Sequence, residues 1–347
     1  MAAVRSQGAS QGAAGDGGAL MAWLIFFASS AVLVLAAIKL ADYGDVISVR
    51  TRLGGMLVGT LLLAGATSLP EFLTTINALG QNVPNLAAGN MFGSNMFNMF
   101  LLAALDMAFF RARILRRVAT RHALTAGLAI LLMALVNFFV LADIDLKIGW
   151  VGLDSLLVIA AYIFGVRLLR GNNASAPPAA PADIPEGVPS LRRALVGFAA
   201  ATGVLVFVTP WLVRSSIEIA AITGLGTGFF GAAFVAAITS VPELVASIAA
   251  ARLGAYDLAV GNLFGSNAFN MFALGLTDFF YLPGRFLGVI DPVFALAGLL
   301  GLILTTIGLI SNLARVERRI LFVEVDALLL ALGYFGGLYF LYARGIG

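Results

Sequence analysis

A segment of about forty residues occurs twice in this chain, and each copy places a glutamate within an apolar stretch. Thr-Ser-Leu-Pro-Glu ends at Glu71, and Thr-Ser-Val-Pro-Glu ends at Glu243. Gly-Asn-Met-Phe-Gly-Ser-Asn-Met-Phe-Asn then ends at Asn98, and Gly-Asn-Leu-Phe-Gly-Ser-Asn-Ala-Phe-Asn ends at Asn270. One constant difference in residue number, the repeat offset from Glu71 to Glu243, carries each motif onto its copy without a gap. The chain is therefore predicted to fold as two similar halves that share one functional site.

The composition indicates a membrane protein. Hydrophobic residues make up 61% of the chain and charged residues only 11%, with a mean hydropathy of +0.99. A soluble domain has about 25% charged residues, and no single core could bury so much apolar sequence. The chain has no cysteine, which excludes a disulfide framework, a thiolate metal site and a cysteine nucleophile.

Ten apolar segments have about the 20 residues that a bilayer-spanning helix requires. They cover residues 19–41, 53–79, 84–108, 122–141, 148–169, 194–213, 225–251, 256–281, 286–312 and 321–343. We therefore predict an all-α membrane protein with ten transmembrane helices. The predicted parts are a disordered N-terminus at 1–18, a first half at 19–169, a proline-rich linker at 170–193 and a second half at 194–347.

The distribution of positive charge predicts the orientation. With the N-terminus outside, sixteen of the 21 Lys and Arg residues lie at cytoplasmic ends or loops, as the positive-inside rule requires. Both termini are then extracytoplasmic, the linker is cytoplasmic, and the protein resides in the cell membrane. Because each half has five spans, the second half enters the membrane from the opposite side. The sequence thus predicts two inverted-topology five-helix repeats.

The residues around Glu71 are oxygen donors on one helix face. Pro70 lacks an N–H and frees the carbonyl of Ala66, while Thr67 and Ser68 precede Glu71 by four and three residues. The second copy repeats this arrangement at Ile238, Thr239, Ser240, Pro242 and Glu243. Carboxylate, hydroxyl and carbonyl oxygens suit hard cations such as Na⁺, Ca²⁺ or Mg²⁺. A single proline or buried glutamate is usually structural, but two full copies favour a functional site.

Two further stripes of polar residues, each spaced by four, accompany the glutamates. They are Asn90, Ser94 and Asn98 in the first half and Asn262, Ser266 and Asn270 in the second. Asn95 and Asn267 lie on another face and are predicted to bond across helices. Other polar residues are weaker candidates: Asp106, Asp278 and Asp154 are expected to be interfacial, and His122 is expected to be a loop residue.

These paired motifs resemble the alpha-repeats of the cation/calcium exchanger family, in particular its prokaryotic sodium/calcium exchanger-like branch. The resemblance implies a cluster of cation sites between spans two, three, seven and eight, with spans one and six as a sliding pair. Glu71 and Glu243 would be shared by Ca²⁺ and Na⁺, and backbone carbonyls of Thr67 and Thr239 would bind Ca²⁺. The remaining implied ligands are hydroxyls of Ser68, Ser240, Ser94 and Ser266, carbonyls of Ala64 and Ala236, and side chains of Asn98 and Asn270.

One departure from the family concerns charge. Many relatives carry Asp at one of the positions of Asn98 and Asn270, but both are Asn here. The site then has at most two formal negative charges, from Glu71 and Glu243. This predicts either a lower number of Na⁺ ions per Ca²⁺ than in relatives with the third carboxylate, or a bound ion that is dispensable.

The predicted function is antiport of Ca²⁺ against Na⁺ by alternating access, with the two ions as substrates and the bilayer as surroundings. An H⁺/Ca²⁺ antiporter is the alternative, and a cation channel is a further one. No nucleotide loop, zinc-protease motif or nucleophile motif occurs, so neither an enzyme nor a bound cofactor nor a nucleic-acid partner is expected. The sequence does not predict the oligomeric state.

Overall fold

The computed structural model describes residues 2–51, 63–110, 114, 122–173, 188–314, 319–320 and 323–345, and this part of the chain is almost entirely helical. Three predicted features lie wholly or mostly outside the described residues. They are the start of the second span at 53–62, the arginine-rich stretch around 111–121 and the centre of the linker at 174–187.

Five helices form the first half. They are α1 (Ala2–Thr51), α2 (Leu69–Gly80), α3 (Pro84–Ala108), α4 (Ala123–Ala142) and α5 (Leu153–Asn173). Residues 63–67 are also helical and precede α2. The disorder predicted for residues 1–18 stays a prediction, and α1 begins at Ala2.

The second half begins with α6 (Leu191–Thr223) and continues with shorter pieces. A broken segment comprises α7 (Thr227–Phe230), a π-helical turn (Gly231–Val235), α8 (Ala236–Thr239) and α9 (Val241–Arg252). Then follow α10 (Tyr256–Thr277), a 3-10 turn (Asp278–Phe280), α11 (Phe286–Val289), a second 3-10 turn (Pro292–Phe294), α12 (Ala295–Ala314) and α13 (Val325–Ala343).

The sixth predicted segment is longer than expected. The apolar run ends at residue 213, but α6 continues to Thr223 despite Pro210 within it. Beyond the proline, the hydroxyl of Ser216 donates to the carbonyl of Leu212 (2.7 Å), a bond that serines commonly make within helices. Gly224 then ends the helix in the left-handed conformation, at φ 71°.

The repeat that relates the motifs also relates the helix boundaries. The repeat offset carries Leu69 at the start of α2 onto Val241 at the start of α9. The same offset carries α4 (Ala123–Ala142) onto α12 (Ala295–Ala314) at both ends. The two halves therefore have the same local structure along their lengths.

Two short hairpins were not predicted. β1 (Lys147–Ile148) pairs antiparallel with β2 (Val151–Gly152), and β3 (Arg319–Ile320) pairs antiparallel with β4 (Val323–Glu324). The repeat offset relates these hairpins as well. Each hairpin precedes the last helix of its half and replaces the first residues of a predicted span.

Six helical segments of the described chain are long and apolar enough to cross a membrane. They are Gly17–Thr51, Ala123–Ala142, Leu191–Thr223, Thr227–Arg252, Pro292–Ser311 and Val325–Ala343. The helices α3 and α10 have spanning length but carry the polar motif residues, which lowers their hydropathy. Ten spans in two inverted repeats thus stay a prediction, whereas the helical membrane architecture is established.

The apolar core has two parts. The larger part joins α3, α4, α10 and α12 around buried side chains such as Phe92 and Phe264. The smaller part lies where α1 packs along α6, and it includes Leu33 and Leu205. The α1–α6 pair therefore has its own packing surface beside the main bundle.

Glycine permits the closest helix contact beside the motifs. A Cβ built on Gly93 meets the backbone of Ala232, and one built on Gly89 meets the carbonyl of Gly228. The first of these contacts places α3 directly against the π-helical turn of the second half. Small residues allow such backbone approach between membrane helices.

Candidate functional site

The helix is interrupted at the same point in both repeats. Ser68 and Ser240 have non-helical φ/ψ values of −85°/5° and −87°/6°, and a proline stands near the start of the helix that follows each. Glu71 and Glu243 consequently lie in the first turn of α2 and α9. Unpaired N–H groups and the helix dipole make this end electropositive, which stabilises a carboxylate. Sequence analysis predicted a carbonyl freed by each proline, and the interruption of the helix at each serine was not predicted.

Each glutamate is hydrogen-bonded by a serine of the other half. The hydroxyl of Ser68 donates to Glu243 Oε1 (3.0 Å), and the hydroxyl of Ser240 donates to Glu71 Oε1 (2.9 Å). Both glutamate side chains are completely buried. The helix spacing had placed each serine with the glutamate of its own helix, whereas the structure joins it to the opposite one. The site therefore belongs to the boundary between the halves.

The threonines make bonds that also repeat in both halves. The hydroxyl of Thr67 donates to the carbonyl of Ala64 (3.2 Å), and that of Thr239 donates to the carbonyl of Ala236 (3.3 Å). The same two carbonyls accept the backbone N–H of Ser68 (2.9 Å) and Ser240 (3.0 Å). The role of the Ala64 and Ala236 carbonyls as ligands stays a prediction, and a cation would have to compete for oxygens that already accept two bonds.

The first residues of the two polar stripes fasten helices together. Asn90 Nδ2 donates to the carbonyl of Glu71 (3.1 Å) and to the hydroxyl of Thr75 (3.2 Å). Asn262 Nδ2 donates to Ser247 Oγ (3.3 Å). Sequence reasoning missed Thr75 and Ser247, although the repeat offset relates these two residues as well. Their repetition was the signal that could have identified them.

The later residues of the stripes supply oxygens. Ser266 Oγ donates to Glu243 Oε1 (3.2 Å), so α10 reaches the glutamate of α9. Ser94, Asn98 and Asn270 are completely buried. Asn98 and Asn270 follow Ser94 and Ser266 by one helical turn, and hence lie on the same faces.

Several oxygens of these residues have no hydrogen-bond partner within the described part of the chain. They are Glu71 Oε2, Glu243 Oε2, Ser94 Oγ, Asn98 Oδ1 and Asn270 Oδ1. Leaving a buried polar atom unpaired costs about 1–3 kcal/mol, and more for a charged group. Five such oxygens among the predicted ligands, from both halves, form a set that a hard cation would satisfy. The described residues hold no group of three His, Cys, Asp or Glu side chains suited to a metal ion.

A separate charged cluster lies at one end of the bundle. Arg285 is almost buried and forms ion pairs with Asp143 and with Asp154, the latter at 2.7 Å. Burial lowers the pKa of Arg285, but the hydrogen bonds and charges of Asp154 and Asp143 raise this pKa above its usual value on balance. Asp278 Oδ2 accepts the backbone N–H of Gly152 (2.6 Å). Asp154 and Asp278 thus tie the hairpin to neighbouring segments, apart from the glutamates.

His122 lies in a bend outside the helices, as predicted for a loop residue, although its side chain is buried. The side chain is 1% exposed, directly before α4, and its Nε2 lies 3.9 Å from Asp257 Oδ1. It packs at a helix end, away from the paired motifs.

A helical membrane protein with an oxygen-lined site between two related halves is the architecture of a secondary cation transporter. The sequence profile described as "Sodium/calcium exchanger protein" matches residues 21–169 and 193–343, one stretch in each half. The chain belongs to this family, whose members are transporters rather than enzymes.

Individual relatives agree with the family. A protein of Alkalimonas amylolytica named antiporter CaxA is 25% identical over 337 residues, which cover 93% of this chain and 99% of the relative. The sodium/calcium exchanger MaX1 of Methanosarcina acetivorans is 43% identical over 72 residues, covering 20% of this chain and 21% of the relative.

Solved structures of exchangers share the fold. The sodium-calcium exchanger NCX_Mj aligns with a TM-score of 0.61 and 20% identity, over 92% of this chain and 99% of that one. The H⁺/Ca²⁺ exchanger CAX aligns with a TM-score of 0.62 and 15% identity, over 93% of this chain and 88% of that one. At these identities the likeness establishes the fold alone.

Proposed function

We propose that the protein is a secondary antiporter that moves Ca²⁺ in exchange for Na⁺ across the cell membrane. Glu71 and Glu243 form the shared binding site, and ten spans in two inverted repeats alternate its access to the two sides. One observation carries this proposal. Each buried glutamate has one oxygen held by a serine of the opposite half and a second oxygen without a partner among the described residues.

The charge of the site explains why the two ions would compete. Two ionised glutamates neutralise either one Ca²⁺ or two Na⁺, and a net charge inside the membrane is unfavourable. Binding of one cation species therefore excludes the other. The site residues that supply the remaining oxygens are Thr67, Thr239, Ser68, Ser240, Ser94, Ser266, Asn98, Asn270, Ala64 and Ala236.

The identity of the counter-ion rests on the site rather than on the fold. Exchangers for Na⁺ and for H⁺ align equally well, with TM-scores of 0.61 and 0.62. The unpartnered hydroxyl of Ser94, among the residues the structure describes, supports Na⁺, because a proton on a glutamate needs no extra ligand. The free Oε2 atoms of Glu71 and Glu243, within the same described residues, support H⁺ as the second candidate, since each is a place for a proton.

Transport into proteoliposomes tests the proposal. Calcium-45 uptake is measured into vesicles loaded with Na⁺, with K⁺ or with acidic buffer, and Glu71→Gln protein serves as the blank. Uptake that requires internal Na⁺ is the expected result. Uptake that an acidic interior drives instead would assign H⁺ as the counter-ion. Equal uptake from all three interiors would indicate a channel, because Ca²⁺ entry would then need no particular counter-ion.

The number of Na⁺ ions follows from the two carboxylates. A third Na⁺ would leave a net positive charge inside the membrane, so we expect fewer than three Na⁺ per Ca²⁺. The reversal potential of Ca²⁺ flux at set Na⁺ gradients measures this ratio. A value of three or more would contradict the charge argument without affecting the assignment of the two ions.

A further inference from the structure

Four buried asparagines meet where α3 packs against α10. Asn98 Nδ2 donates to Asn267 Oδ1 (3.0 Å), and Asn270 Nδ2 donates to Asn95 Oδ1 (3.0 Å). Each bond joins one half of the protein to the other. In each bond the donor nitrogen belongs to a proposed ligand, Asn98 or Asn270. The Oδ1 atom of that ligand has no partner in the described chain. Asn95 and Asn267 thereby determine that oxygen, rather than nitrogen, is available to a cation.

Asn95 and Asn267 differ in the hydrogen bonds that their own side-chain nitrogens make. Asn267 Nδ2 donates to the carbonyl of Asn95 (3.2 Å) and to Thr305 Oγ1 (3.1 Å). The Thr305 hydroxyl donates to the carbonyl of Gly301 (2.8 Å), so its oxygen remains an acceptor for Asn267. Asn95 Nδ2, in contrast, has no partner among the described residues. The repeat offset places Met133 where Thr305 stands in the other half, and a thioether is a weak acceptor.

We propose that Asn95 and Asn267 are positioning residues that orient Asn270 and Asn98 across the boundary between the halves, and that they do so unequally. Asn267 is fixed, whereas Asn95 is free to turn its amide over. Position 270 can therefore accept an ionised carboxylate and position 98 cannot. This inference rests on the proposed function, because it assigns roles around the same cation site.

The consequence follows from hydrogen-bond chemistry. If Asn270 were Asp, its carboxylate would receive the Nδ2 of a turned Asn95, and no existing bond of that nitrogen would be lost. If Asn98 were Asp, its carboxylate would face Asn267 Oδ1, and two acceptor oxygens cannot hydrogen-bond each other. Turning Asn267 would break two hydrogen bonds, and a carboxyl that keeps its proton adds no charge. An added charge can thus reach the cation from position 270 only.

The test compares Asn98→Asp with Asn270→Asp, two variants of identical chemistry at equivalent positions. Ca²⁺-dependent thermal stabilisation in detergent reports binding, and the KM for Ca²⁺ uptake into vesicles reports transport. We expect Asn270→Asp to lower the KM and Asn98→Asp to leave it unchanged or raise it. Two lost hydrogen bonds correspond to a difference of about tenfold or more between the variants. An equal gain in both, or a gain at position 98 alone, would overturn the inference.

A second comparison tests the anchor itself. Thr305→Val removes one acceptor of Asn267 Nδ2 without touching Asn98, and the KM of this single variant is measured as the reference. Combined with Asn98→Asp it should lower the KM relative to Asn98→Asp alone, because Asn267 can then turn more easily. A merely structural role of Thr305 predicts no such rescue. If the unaltered protein neither binds nor transports Ca²⁺, the proposed function fails. If it does both and the two Asp variants behave alike, the positioning role alone fails.

Discussion

At the residue scale, the site is defined by bonds that cross from one half to the other. The repeat indicated which residue types surround each glutamate, because Thr, Ser, Pro and Glu recur at fixed spacing. It could not indicate that Ser68 donates a hydrogen bond to Glu243 and that Ser240 donates one to Glu71. Helix spacing describes neighbours on one helix only, whereas these pairs depend on how two distant helices are placed. The predicted ligands therefore came together, but with different partners.

The first residue-scale prediction concerns the carboxylates. Glu71→Gln or Glu243→Gln should reduce Ca²⁺ uptake to the level of protein-free vesicles, because glutamine keeps the volume and an acceptor oxygen but lacks the charge that neutralises a cation. Glu218→Gln is the matched control, since Glu218 is an exposed glutamate in α6. It should transport normally. Exchange retained in either buried variant, in protein that elutes as a folded species, would disprove the shared site.

The second prediction separates the two serines of the polar stripes. Ser94 Oγ has no partner among the described residues, while Ser266 Oγ donates to Glu243 Oε1. Ser94→Ala should therefore weaken the binding of Na⁺ more than the binding of Ca²⁺, since it removes a free ligand that flanks the carboxylates. Ser266→Ala should weaken both ions, because it alters a shared glutamate. Competition of Na⁺ against Ca²⁺ uptake measures both effects. The same ratio of Na⁺ affinity to Ca²⁺ affinity in the two variants would count against the flanking role of Ser94.

At the element scale, the sequence predicted the helices better than their irregularities. Pro70 and Pro242 marked the two places where the helix is interrupted, although each predicted span ran through its proline. The π-helical turn Gly231–Val235 and the hairpin turn at Gly149, with φ 68°, were not predicted. Two-residue strands are too short to show an alternating pattern, and a π turn depends on contacts with neighbouring helices. These irregular elements lie beside α3 or at the ends of helices, where tertiary packing determines the backbone.

A prediction at this scale tests the contact of α3 with the π-helical turn. Gly93→Ala should lower the melting temperature by several degrees and reduce transport, because the new Cβ would meet the backbone of Ala232, which cannot rotate away. Overpacking of this kind costs about 1–3 kcal/mol. Gly127→Ala in α4 is the control, since a Cβ there meets nothing within 4 Å. It should be neutral or stabilise the helix by about 1 kcal/mol. Similar melting temperatures for both variants would show that the contact is not essential.

At the scale of the whole molecule, the packing divides the chain into a bundle that carries the site and a pair of helices beside it. α1 and α6 share an apolar cluster of their own. α6 is also joined to α2 by the bond from Asn77 Nδ2 to Thr209 Oγ1 (2.7 Å) and by that from Gln81 Nε2 to the carbonyl of Pro210 (3.2 Å). If α1 and α6 slide as a unit over the site, the bonds to α2 must break in each cycle while the packing within the pair persists.

Cross-linking distinguishes these two interfaces, and the absence of cysteine from the chain removes any background reaction. Asn77→Cys with Thr209→Cys, bridged by a short bifunctional thiol reagent, should stop Ca²⁺ uptake, and reduction of the bridge should restore it. A cavity of about 470 Å³ is lined by Asn77, Gln81 and Pro210, beside the buried Thr209. The bridge would hold α6 against α2, so the site could no longer change sides.

The matched control bridges the helices that are proposed to move together. Tyr43 of α1 lies against Gly197 of α6, where a built Cβ meets the tyrosine ring. Tyr43→Cys with Gly197→Cys, bridged by the same reagent, should keep most of the uptake, because no relative motion is needed there. If this bridge stops transport and the α2–α6 bridge does not, α1 and α6 move against each other instead. Alternation would then take place within the pair, and α6 would belong with the bundle that carries Glu71 and Glu243.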